Sequence, residues 1–91
     1  MELGEKPKTP QDWLEIYKQS RKNIIADIND YKRRSRECRK EAEQTTDEEE
    51  KAYLIHEAEY LWWCAENMGK HELLEAILHQ EYYEAVINGR I

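Results

Sequence analysis

Phenylalanine is absent from this 91-residue chain, and only two cysteines, three glycines and two prolines occur in it. Each scarcity excludes something. Cys38 and Cys64 stand alone, without a CxxC pair or further cysteines, so the chain has neither a disulfide scaffold nor a cysteine zinc site, and both read as free thiols. Pro7 and Pro10 both fall within the first ten residues, and after Gly4 the next glycines are Gly69 and Gly89, so long stretches carry no helix breaker. The apolar/polar alternation of strands is missing, as are internal repeats and low-complexity tracts. No apolar run approaches the roughly 20 residues of a membrane span, and the start MELGEKPKTP lacks the apolar core of a signal peptide. The expectation is an all-α cytoplasmic protein that makes no use of a membrane.

Without Phe, six Tyr and three Trp supply all the aromatic surface. These rings carry a polar atom on an apolar body, which suits half-buried positions and interfaces better than a dry core. A chain this short buries only about 60–65% of its unfolded surface, so its core is thin. The net charge of −6 is unevenly spread: residues 1–46 hold 11 Lys/Arg against 9 Asp/Glu, net +2, and residues 47–91 hold 3 against 11, net −8. The halves should attract each other on folding.

Residues 1–8 are polar and contain Gly4 and Pro7, which predicts a flexible tail before a single domain over 9–91. Thr9-Pro10-Gln11-Asp12 then has the form of a helix start, with Thr9 as N-cap, Pro10 at the first position and an acid in the first turn. The helical pattern runs from about 10 to 44, roughly 50 Å at 1.5 Å per residue. Trp13, Tyr17, Ile24, Ile28, Tyr31, Ser35, Cys38 and Ala42 form its seam in steps that suit coiled-coil packing, and Leu14, Ile16 and Ile25 widen it in the first half, enough for two neighbours.

Thr46 is the expected N-cap of a second helix, about 47–67, with acids in its first turn. This helix has two sticky sides. Leu54, Ile55, Ala58, Leu61, Trp62, Ala65 and Met68 gather on one, and Tyr53, His56, Tyr60, Trp63, Cys64 and Asn67 on the other. Leu73, Leu74, Ile77, Leu78 and Ala85 form the apolar side of the next segment, about 70–88, which Asn88-Gly89 ends. Run straight through Gly69, that side would lie roughly 150° from the aliphatic seam of the second helix and would prolong its Tyr/Trp side. A turn with Gly69 in the left-handed conformation removes the mismatch, so the expected architecture is a three-helix bundle able to form a homodimer. The alternative is a long two-helix hairpin, since an isolated glycine in a helix costs only about 1 kcal/mol.

Three constellations bear on chemistry. Lys32, Arg36, Arg39 and Lys40, with Arg33 at the edge, form a basic stripe that suits nucleic-acid phosphates or an acidic protein partner. No aromatic interleaves it to stack bases. His71, Glu75 and His79 lie along one side with Tyr82 nearby, but the spacing is neither H-E-x-x-H nor the E-x-x-H of di-iron bundles, so no metal or other cofactor is expected. His56 between Tyr53 and Tyr60 lacks a nucleophile beside it and reads as an interface histidine. The outline of one long and two shorter helices resembles that of the helical chorismate mutases, whose inward Arg and Lys bind a dicarboxylate. The inward positions here are Tyr31, Ser35, Cys38 and Ala42, so no residue carries over.

The sequence therefore points to a non-enzymatic protein-interaction module, a small acidic adaptor, inhibitor or regulatory protein of the kind phages and mobile elements also encode. Its expected interface is Tyr53, His56, Tyr60, Trp63, Tyr82 and Tyr83. The alternative is a regulatory protein that binds nucleic acid through the stripe of the first helix.

Overall fold

Two antiparallel helical arms joined by three residues make up the computed structural model, which describes residues 9–90. The first arm is α1, Pro10–Gln44; the second comprises α2, Glu48–Asn67, a π-helical segment, Met68–Leu73, and α3, Leu74–Ile87. Among the described residues there is no strand. The tail expected over residues 1–8 lies outside them.

Local chemistry sets the ends of the arms. Thr9 Oγ1 accepts from the Asp12 amide at 3.1 Å with Pro10 in the first turn, so α1 starts and stops where its pattern predicts. For α2 the cap is Asp47, not Thr46: its carboxylate accepts from the amides of Glu49 and Glu50. A carboxylate at this position also meets the helix dipole as an ion, which a threonine hydroxyl does not. At the far end Gly89 takes φ +75°, Arg90 N–H donates to Ala85 O and Gly89 N–H to Val86 O, the paired bonds of a glycine C-terminus.

The expected turn at Gly69 does not form, and with it the three-helix bundle gives way to the hairpin. Gly69 has no positive φ, and the backbone continues as a π helix. The buried and half-buried positions facing α1 explain why: Leu61, Ala65, Gly69 and Leu73 follow one another in three steps of four. Each such step overshoots an α-helical turn by about 40°. A π turn, bonded i→i+5, holds more residues and absorbs the drift, so the second arm keeps facing α1 without a break.

Along the seam Leu14, Ile28, Ser35 and Ala42 of α1 are buried against Leu54, Ala58, Leu61, Ala65 and Ala76. Ser35 Oγ donates to Ala58 O at 2.7 Å, a buried bond between two small residues that lets the helices approach closely. Leu14, expected on a flank, joins this core, whereas Ile16 and Ile25 stay exposed, so α1 has one neighbour within the chain instead of two. Ile55 and Trp62 leave the aliphatic side of α2 for its exposed edge, and Leu74 and Leu78 are 51% and 57% exposed. The body measures 61 × 33 × 14 Å, a slab one helix thick. All four ion pairs among the described residues lie within α1, so the charge difference between the halves is not discharged by contact pairs between arms.

Candidate interaction face

A slab of two helices has two broad faces, and here they differ in chemistry. The first face is aromatic. In its second half α2 presents Tyr60 and Trp63, their rings 6.4 Å apart and nearly parallel, and α1 presents Tyr31 with the Arg34 guanidinium 5.6 Å above its ring. The Tyr60 phenol is held above its ordinary pKa, first of all by its hydrogen bond with Cys64. Tyr53, seven residues before Tyr60 and 62% exposed, continues the same edge towards the turn.

From there a furrow runs between the arms. Tyr31, Trp63, Cys64, Met68, His71 and Glu72 line a hollow of about 320 Å3, just where the π segment widens the second arm. Glu72 also borders the next hollow, which Tyr17, Ser20 and Ile24 of α1 share with Glu75 and Ala76 of the second arm. At the open end the furrow closes in stacked rings: Tyr17 lies 4.5 Å from His79 and 6.0 Å from Tyr83, and Trp13 lies 6.1 Å from Tyr17 and 6.2 Å from Tyr83. Tyr82 meets Tyr83 edge-on at 4.9 Å and is half exposed. His79 Nδ1–H donates to Glu75 O at 2.8 Å, which with the Tyr17 stack fixes its ring.

On the opposite face the cations of α1 gather. Lys18, Arg21, Lys22 and Ile25 of α1 surround a hollow with Gln80, which accepts from Arg21 Nη1 at 3.4 Å. Further along, Lys32 Nζ sits 5.3 Å over the Trp62 ring. The five cations of the expected stripe consequently differ from one another. Lys32 is half buried over the ring, and Arg33 is clamped by Asp30 at 2.6 Å and Glu37 at 2.8 Å. Arg36, Arg39 and Lys40 are exposed and carry no ion pair.

Of the expected interface residues, Tyr60 and Trp63 stack at one end of the furrow and Tyr82 and Tyr83 meet at the other, whereas His56 is exposed and has no hydrogen bond, ion pair or ring contact among the described residues. What the sequence did not reveal is the contribution of α1. Trp13, Tyr17 and Tyr31 read as seam residues, yet each is half buried and forms one bank of the furrow. The signal was available in their type, since seam positions filled by rings with polar atoms are suited to a wet boundary.

Chemistry at this face is limited. Among the described residues no three His, Cys, Asp or Glu side chains gather closely enough to hold a metal ion, and His71, Glu75 and His79 do not converge. Burial, then Glu41 and Glu57, push the Cys38 thiol above its ordinary pKa, against a weaker opposite pull from Arg34. Such a thiol is a poor nucleophile at neutral pH. No helix of the described residues is long and apolar enough to cross a membrane. No family model, curated protein or solved structure matches this chain.

Proposed function

We propose that this chain is a non-enzymatic protein-interaction module, a small acidic adaptor or inhibitor that works by covering a partner's surface. One observation carries the reading: aromatic side chains stand along the furrow in two stacked clusters, Tyr60 with Trp63 at one end and Trp13, Tyr17, His79 and Tyr83 at the other, and are left partly in water. Folding has ordered these side chains already, so a partner meets an interface whose entropy cost is largely met in advance. Tyr and Trp in such a setting are the residue types that dominate binding energy at protein interfaces.

The nucleic-acid alternative has less support. Arg33 is neutralised by two carboxylates and Lys32 is engaged by Trp62, which leaves Arg36, Arg39 and Lys40 in a chain of net charge −6. Lys18, Arg21 and Lys22 extend this set along the same face, and binding through such contacts is salt-sensitive.

A photo-crosslinking amino acid placed at Trp63 or Tyr82, with the protein expressed in its own cell, is expected to join another polypeptide. The same group at Lys22, on the basic face, is expected to give none. Absence of an adduct with a polypeptide other than a second copy of this chain, from both furrow positions, would falsify the module reading.

A further inference from the structure

The furrow has the shape of a helix seat. Two antiparallel helices packed side by side leave between them a channel that a third helix fills in any three-helix bundle, at spacings of about 8–10 Å. From Tyr60 to Tyr83 the second arm lines this channel over about 35 Å at 1.5 Å per residue, the length of a helix of some 20 residues. Tyr31, Trp63, Met68, Ile24, Ala76 and Tyr17 give its lining an apolar and aromatic half, and Asn67, His71, Ser20, Glu72 and Glu75 a polar one. The occupant must therefore offer an apolar ridge at i, i+3/4, i+7 spacing.

Its charge can also be read. On the rim of the second arm Glu57, Glu72 and Glu75 have no ion-pair partner among the described residues. On the rim of α1 Asp27 lies seven residues after Ser20, on the same edge, and is likewise unpaired. Arg34 stands on this rim as well, over the Tyr31 ring, with an Asp30 carboxylate 3.8 Å away. A third helix with carboxylates on its flanks would be repelled, whereas one with Lys or Arg flanks would find Glu72, Glu75 and Asp27 along its length, Glu57 just beyond its end, and the exposed rings of Tyr60 and Trp63. A second copy of this chain fits less well. Face to face it sets acid rim against acid rim, and its basic face offers the cations without a continuous apolar ridge, because Lys32 covers Trp62 and only Ile25 projects among Lys18, Arg21 and Lys22.

We infer that the furrow between α1 and the second arm receives a cationic amphipathic helix of a partner protein, completing a three-helix bundle. This rests on the interaction-module reading and narrows it to one class of partner. The test uses three labelled model peptides of about 20 residues in fluorescence anisotropy: an amphipathic Leu/Lys helix, its Leu/Glu counterpart, and a Leu/Lys scramble without a face.

The full chain is expected to bind the first alone. Affinity should fall about tenfold or more for Trp63→Ala, and by a similar factor for Glu72→Lys/Glu75→Lys. The control pair Glu59→Lys/Glu66→Lys changes the net charge equally but lies on the other edge of α2, and should leave binding within about twofold. Equal binding of the scramble, or equal losses from the two charge-reversal pairs, would show attraction by net charge and overturn the proposal. So would preference for the Leu/Glu peptide. Failure of all three peptides while Trp63 still cross-links to a foreign protein overturns the helix class and leaves the module reading standing. Adducts made solely with a second copy overturn both.

Discussion

Ser35 shows most directly how single residues set this fold. It is the buried polar residue of the seam, 1% exposed, and its bond to Ala58 O brings two helices together where neither side chain is larger than a hydroxymethyl group. Ser35→Ala removes one hydrogen bond from a carbonyl that also belongs to the α2 ladder, so the expected loss is about 0.5–1.5 kcal/mol. Ser35→Leu forces bulk into the closest approach and should cost more, at about 1–3 kcal/mol. Urea denaturation monitored by circular dichroism checks the order, and a Leu variant as stable as wild type would mean that the arms are not in close contact there. At this scale the sequence was largely readable: Ser35 and Ala42 were placed on the inner seam, as were Leu54, Ala58, Leu61 and Ala65, because period and residue size agree at these positions. Exposed rings were harder. Trp62 and Trp63 lie about 100° apart around the helix, and near an irregular turn sequence spacing does not fix the phase closely enough to place both rings at the surface, where they stand.

Among the elements the π segment separates the expectation from the outcome. The mismatch between the aliphatic side of α2 and the apolar side of the next segment was visible in the sequence, and so was the glycine beside it. A chain break and a widened turn both cure the same mismatch, however, and local sequence does not choose between them. The choice is made by packing, because a continuous arm keeps Leu73 and Ala76 against α1. Gly69 has no positive φ, and a Cβ there would meet nothing within 4 Å. Gly69→Ala is therefore expected to stabilise the protein by about 0.5–1 kcal/mol, through the lower backbone entropy of the unfolded chain. A thermal melt decides the matter: a rise of a few degrees follows from the continuous arm, whereas a fall follows from a left-handed turn.

As a whole the molecule is far more extended than its length requires, with a radius of gyration of 19.1 Å against about 12 Å for a compact domain of this size. The slab form explains why so much aromatic surface stays wet and why the candidate face belongs to both arms. Neither property was legible from one helix at a time, since the furrow exists only where residues such as Tyr17 and His79, far apart in sequence, are brought side by side. The three-residue link between the arms has a consequence in time as well as in space. Sequence separation across the seam grows steadily from that link, from 23 residues at Ser35–Ala58 to 59 at Arg21–Gln80 and 70 between Trp13 and Tyr83. Loop-closure entropy grows with it, so the arms should zip from the Thr45–Asp47 end and unzip from the other. Amide hydrogen exchange under native conditions is expected to show protection graded along the molecule, strongest around Ser35 and Ala58 and weakest beyond Trp13 and Tyr83. Uniform protection along both arms would contradict it. The stacked rings then stand at the end of the molecule that opens first, so whatever settles in the furrow there acts as a clasp on a zipper and slows its opening.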